Sequence, residues 1–93
     1  MTATSFGSTA GHWRTDDLLG DDAESRWYIG HGTHRMAIAA SVRKYRKAWI
    51  ASAWGMDDEG DPMRVLVFQR AADSKHEAKA LADAALRADG VRL

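Results

Sequence analysis

Apolar and polar positions alternate along the middle of the chain, which is the pattern of a β-strand with one buried face. Between residues 34 and 43, Met36, Ile38, Ala40 and Val42 point one way, and the residues between them are small or basic. Further segments rich in strand-forming residues follow and precede this one, separated by glycine-rich, basic or acidic turns. We therefore predict strands near 26–29, 34–43, 47–55 and 63–70.

A helical period replaces this alternation after residue 73. Ser74 is a favourable N-cap, and Glu77 completes a capping box in which the side chain of each residue accepts a bond from the unpaired backbone N–H of the other. Arg87 lies in the last turn, where a positive charge is favourable, and Gly90 lies at the position after the C-cap, where glycine is common. The apolar residues recur at helical spacing and form one stripe, Ala78, Leu81, Ala82, Ala85 and Leu86. The pattern predicts a helix near 74–88.

Together these elements predict an α+β fold, a three- to four-stranded antiparallel meander with one C-terminal α-helix packed on one face. The helix stripe is expected to pack against Met36, Ile38, Ala40 and either Leu66 or Phe68. If Trp49 faces the helix then Trp54 faces away, and the reverse register exposes Trp49. The sequence alone leaves that choice open.

Residues 1–25 show neither period and are rich in Thr, Ser, Gly and Asp. We predict a flexible acidic N-terminal arm over 1–25 and a single α+β domain over 26–93. Alternatively, Trp13 or Leu18–Leu19 docks the arm onto the domain or onto a partner. The acidic residues from Asp16 to Glu24 have two alternative roles. They shield the basic residues of the domain by an intramolecular contact, or they form a free tail that increases solubility.

The length of 93 residues allows one domain with a thin core, and a deep substrate cavity is not expected. There are no cysteines, which excludes disulfides and thiolate zinc sites and favours a reducing, cytoplasmic location. No apolar run is long enough to span a bilayer.

No catalytic motif stands out, so we expect a protein that is not an enzyme and needs no cofactor. His31 and His34 are read as part of a polar hairpin turn rather than as metal ligands, because no third ligand is nearby. The acidic stretch 57–61 lacks the ligand spacing of a calcium loop and is read as a solvated loop.

Charge is segregated along the chain although the formal net charge is zero. Basic residues surround Tyr45 and precede Trp49, an arrangement that suits contact with phosphates. A polar turn with edge lysines that prevent strand aggregation is the structural alternative. The candidate binding residues are Arg35, Arg43, Lys44, Arg46, Lys47, Trp49, Trp54 and Arg64.

The order of strands and helix, with Arg46, Lys47 and Trp49 opening one strand, resembles the AP2-like DNA-binding fold of phage integrase arm-binding domains. Ser74, Glu77, Ala78 and Ala82 match the start of that family's helix. The resemblance covers residues 34–88. It implies a sheet lying in the DNA major groove, with contacts from Arg35, Arg43, Arg46, Lys47 and either Trp54 or Arg64.

Duplex DNA is therefore the leading expected partner, bound by the open sheet face and the basic turn 43–47. The alternative is a protein–protein interaction module, such as a phage-encoded, anti-CRISPR-like inhibitor that binds a host or phage protein. A homodimer formed through the open sheet face is a further option. No membrane partner is expected.

Overall fold

The computed structural model describes residues 8–29, 37–55 and 65–93. These residues form one antiparallel sheet with strand order β1-β2-β3-β4-β5 and one helix after the last strand. The elements are β1 (Arg14–Thr15), a 3-10 turn (Asp17–Leu19), β2 (Glu24–Trp27), β3 (Ile38–Tyr45), β4 (Ala48–Gly55), β5 (Val65–Ala72) and α1 (Lys75–Ala88).

The α+β class, the meander order and the C-terminal helix are confirmed, but the sheet has five strands rather than three or four. The additional strand, β1, pairs with β2 through Arg14 and Ser25. It lies within the segment that the sequence assigns to a flexible arm. A strand of two residues carries no recognisable period, which explains why the pattern does not reveal it.

Residues 8–25 pack against the rest of the fold, which corrects the expectation of a free arm over this range. Ala10 and Ala23 are buried. Backbone bonds join Ala10 N–H to the Arg92 carbonyl and Gly11 N–H to the Trp27 carbonyl, both at 2.8 Å. The predicted alternative, docking through Trp13, is observed, because its indole Nε1 donates to Asp83 at 3.1 Å.

The hydrophobic core lies between α1 and one face of the sheet. Small residues line both sides, with Ala40, Ala51 and Ala53 on the strands facing Ala78 and Ala82 on the helix. Alanines allow the helix backbone to approach the sheet closely, since no long side chain separates them. The other buried or partly buried members of this core include Val42, Phe68, Ala72, Leu81, Ala85 and Leu86.

An irregularity between β4 and β5 decides which residue of β5 joins the core. Ala53 pairs with Phe68 and Trp54 pairs with Leu66, so Val67 is an extra residue on β5. Phe68 therefore packs against the helix side, whereas Leu66 is 49% exposed. Of the two predicted alternatives, Phe68 is the correct one.

Both ends of α1 lie where the capping residues predict them, but Glu77 bonds the backbone N–H of Asp73 rather than that of Ser74. Ser74 Oγ accepts from Glu77 N–H at 3.1 Å, and the Glu77 carboxylate accepts from the N–H of Asp73 at 3.4 Å. Asp89 is the C-cap residue and Gly90 adopts a positive φ of 83°, as a residue following the cap commonly does. Local sequence therefore defines both helix boundaries.

Several sequence predictions fall on positions that lie outside the described residues. These are Met36 as a core residue, His31 and His34 as a turn, the acidic loop 57–61, and Arg35 and Arg64 as binding residues.

Candidate nucleic-acid interface at the basic hairpin

The turn between β3 and β4, which we call the basic hairpin (Arg43–Lys47), projects from one end of the sheet. Tyr45 pairs with Ala48, so the turn itself contains only Arg46 and Lys47. Every residue from Arg43 to Lys47 is exposed, and Tyr45 retains 61% of its accessible surface. The structure thus brings Arg43, Lys44, Arg46 and Lys47 together at one exposed site.

Strand alternation divides these side chains between the two faces of the sheet. Lys44 shares the helix side with its cross-strand partner Trp49, and its Nζ lies 6.0 Å from the Trp49 ring centroid. Lys75, at the start of α1, lies 5.6 Å from the same ring. Arg43 and Tyr45 project from the opposite side, which we call the open face.

The backbone of Arg46 is in an unusual conformation for a residue with a Cβ atom. Its φ is 58°, in the left-handed region that favours glycine. Its guanidinium lies 5.5 Å from the Tyr45 ring centroid, a cation–π arrangement at the exposed tip of the hairpin. The residue that tightens the turn is therefore also one of its cations.

No carboxylate among the described residues lies within ion-pair distance of the four hairpin cations. Glu24, the acid that ends the N-terminal acidic segment, is instead bound by Lys75 at 2.7 Å and Lys79 at 3.1 Å. The hydrogen bond from Lys75 is the main cause that lowers the pKa of Glu24. In the described part of the chain, this carboxylate is therefore paired with two lysines of the helix, and the cations of the basic hairpin keep their positive charge.

A row of polar residues crosses the open face next to the hairpin. Ser25 pairs with Ser41, Ser41 with Ser52, and Ser52 with Gln69, so the row runs from β2 to β5. The three serines are buried, and Gln69 Nε2 donates to Ser52 Oγ at 3.1 Å. Between this row and the hairpin tip, Arg43, Ile50 and Ala71 form the next row. Buried serines thus lie in the middle of the open face, and Arg43, Gln69 and Ala71 are its exposed residues here.

The two tryptophans that the sequence could not assign lie on opposite faces. Trp49 packs against the core on the helix side, whereas Trp54 follows Ser52 on the open face at the end far from the basic hairpin. Each is partly buried. Only Trp54 shares the open face with Arg43 and Tyr45.

A buried polar cluster near the N-terminal segment was missed by sequence reasoning. Arg26 donates to Asp83 and to the carbonyl of Gly11, both at 2.7 Å, and is 6% exposed. Its guanidinium lies 5.6 Å from the Trp13 ring centroid. The cluster holds residues 8–15 against the helix, and nothing local in the sequence marks partners so far apart.

A shallow hollow of about 430 Å³ opens beside the N-terminal segment, lined by Gly11, His12, Arg14, Trp27, Tyr28 and Ile29. Across residues 8–29, 37–55 and 65–93, no group of three or more metal-ligating side chains comes together. Neither does any helix within these ranges have the length and apolar character needed to cross a membrane. The basic hairpin is the more distinctive surface, because its charges are concentrated there and no described carboxylate pairs with them.

Comparisons of the chain with protein-family models, with curated proteins and with solved structures returned no match.

Proposed function

We propose that this protein is a non-enzymatic binding protein that contacts duplex DNA through the basic hairpin and the adjoining open face. The observation that carries the proposal is the set of four exposed cations on one hairpin, none paired with a described carboxylate. Unpaired cations on a projecting surface are what phosphate contacts require, since each contact releases counterions from the DNA.

The backbone of Arg46 gives this proposal independent support. A left-handed φ costs a residue with a Cβ about 1–2 kcal/mol, and glycine or asparagine would avoid most of that cost. A strained conformation at an exposed charged residue suggests selection for the side chain rather than for folding. A turn that served folding alone would have no need of arginine at this position.

The sheet geometry suggests how the contacts divide. Arg43 and Tyr45 project from the open face, and Gln69 lies two strands away, one same-face row (roughly 7 Å) further from the hairpin tip than Arg43. A two-stranded ribbon fits the B-DNA major groove, which is about 12 Å wide. The hairpin cations would then hold phosphates at the groove rim while Gln69, which is exposed on the open face, approaches base edges.

The test is a fluorescence-anisotropy titration of the full chain against a duplex of about 20 base pairs, at about 50 mM and about 200 mM salt. Arg43, Arg46 and Lys47 are changed together to Glu. The matched control changes three exposed arginines elsewhere, Arg14, Arg87 and Arg92, to Glu, which alters the net charge equally.

If the hairpin is the interface, the wild type and the control bind at low salt and weaken steeply at higher salt, and the hairpin variant does not bind. Equal loss in the two variants would mean that overall charge, not this site, drives binding. No binding by the wild type at low salt would refute DNA as the partner.

The second candidate function is binding of a protein partner, favoured by an apolar pair at the other end of the open face. Leu66, 49% exposed, lies opposite Trp54. Tryptophans that remain partly accessible, together with apolar neighbours, are common anchors at protein interfaces. A protein interface centred there would respond strongly to Trp54→Ala and little to salt, the reverse of the behaviour expected for DNA.

A further inference from the structure

Strand β5 forms one edge of the sheet, and it is a long edge. It is last in the strand order and spans Val65–Ala72, eight residues. Leu66, Gln69, Arg70 and Ala71 are exposed. Among the described residues, no segment pairs with its outer side. An edge of this length is a template for another strand.

The two-residue hairpin turn determines which backbone groups of β5 point outward. In such a turn Tyr45 and Ala48 exchange backbone bonds, and hydrogen-bonded pairs then alternate along the ladder. The backbone N–H and C=O groups of Ala48, Ile50 and Ser52 thus point towards β3, and those of Trp49 and Ala51 point towards β5. The β5 residues paired with Trp49 and Ala51 are Ala72 and Arg70, and their backbone groups point towards β4. Gln69 and Ala71 therefore direct their N–H and C=O groups away from the sheet.

The same alternation is verified on the other side of the sheet. When the alternation of hydrogen-bonded pairs is continued from β3 to β2, the backbone N–H and C=O groups of Trp27 point away from β3. In agreement with this, Gly11 N–H donates to the Trp27 carbonyl at 2.8 Å. That opposite edge is blunted, because β1 has only two residues, both exposed and polar. On β5, Arg70 is the one charged residue and there is no proline. Among the described residues, β5 is the longer of the two edges, and beyond its extra residue Val67 the stretch from Phe68 to Ala72 pairs regularly with β4.

We propose that a second copy of this chain pairs antiparallel with β5 about a two-fold axis at Gln69, giving one continuous ten-stranded sheet. In this register the Gln69 residues exchange backbone bonds, and Phe68 of each copy lies opposite Arg70 of the other. Arg70 already lies 6.0 Å from the Phe68 ring within one chain, so both project from the same face. The cross-strand pairs would therefore be cation–π pairs.

The neighbouring two-fold register is unfavourable for a physical reason. Pairing Gln69 with Ala71 would place the axis at Arg70 and bring the two Arg70 side chains directly opposite each other. Like charges at cross-strand positions are destabilising. Charge thus favours the register centred on Gln69 over the one centred on Arg70.

The helices leave room for a second copy. Helix α1 packs across β3, β4 and β5 and is centred over β4, one strand in from the edge. Three strand spacings of about 4.8 Å separate β4 from its symmetry mate, so the helix axes would be roughly 14 Å apart. Packed helices approach to about 8–10 Å, and the two helices would not collide.

The contact is small, which predicts a weak dimer. Pairing the stretch from Leu66 to Ala72 of each copy buries less than the roughly 800 Å² per partner of a standard interface. Sedimentation velocity of the full chain should therefore show monomer at about 10 μM and increasing dimer towards about 1 mM. Gln69→Pro removes the central outward N–H and should remain monomeric, whereas Gln69→Ala keeps that N–H and should dimerise like the wild type.

Cysteine pairing tests the register without relying on the proline variant, because the chain has no cysteine of its own. In Gln69→Cys the two Cα atoms would lie about 5.5 Å apart, within reach of a disulfide or a short bismaleimide. In Ala71→Cys they would lie roughly 14 Å apart. We expect efficient cross-linking at position 69 and little at position 71.

A wild type that stays monomeric at about 1 mM would overturn the proposal. Preferential cross-linking at position 71 would overturn the register, and so would a folded Gln69→Pro variant that still dimerises. The proposal is independent of DNA binding, because neither the sedimentation nor the cross-linking measurement contains nucleic acid.

Discussion

Replacing Arg46 separates what this residue does for folding from what it does for binding. With φ at 58°, any residue with a Cβ is strained by about 1–2 kcal/mol, and glycine is not. Glycine loses about 0.5–1 kcal/mol more backbone entropy than alanine on folding. Arg46→Gly should therefore be more stable than Arg46→Ala by about 0.5–1 kcal/mol.

The alanine variant is the matched control because both changes remove the same guanidinium. Each loses the contact with the Tyr45 ring, worth about 0.5 kcal/mol at an exposed site. Arg46→Ala should accordingly fall slightly below the wild type in stability, while Arg46→Gly should equal or exceed it. In a domain of this size the two variants should differ in Tm by roughly 2–8 °C, measured by thermal unfolding followed by circular dichroism.

Binding, unlike stability, should change equally in the two variants, since both lose the same cation. Each should bind duplex DNA more weakly than the wild type, and the slope of log K against log salt should become shallower by about 0.9. Equal Tm values for the two variants would refute the claim of backbone strain. Wild-type affinity in both would show that Arg46 does not contact phosphate.

Three further predictions concern the core, the acidic residue on β2 and the helix cap. Leu86→Ala should lower the free energy of unfolding by about 3–5 kcal/mol in urea titrations, because Leu86 is fully buried, and Leu81→Ala should lower it less. The lowered pKa of Glu24 stabilises the fold above about pH 4.3, the ordinary pKa of glutamate, and this stabilisation is lost as the pH falls through the lowered value. Unfolding measured against pH should show this acid-side loss in the wild type and a smaller one in Glu24→Gln. Ser74→Ala should cost about 1 kcal/mol by removing the bond to Glu77 N–H, and Ser74→Asp should restore most of it.

Local patterns in the sequence determined the elements whose causes are themselves local. The capping box predicts the start of α1 because Ser74 and Glu77 satisfy backbone groups within the same turn. Strand alternation and a basic turn at 43–46 predict the β3–β4 hairpin, since pleat and turn geometry involve neighbouring residues, although the structure closes the turn at Arg46 and Lys47. The same alternation grouped the basic residues that the structure places on one exposed hairpin.

Tertiary structure alone decided the features that join residues far apart in sequence. Trp13 reaches Asp83 seventy positions away and fixes the N-terminal segment, which has no period of its own. The extra residue in β5 turned Phe68 towards the core and Leu66 towards solvent. Glu24 paired with two helix lysines rather than with the basic hairpin. Long-range pairing depends on how whole elements pack, so composition and spacing along the chain cannot specify it.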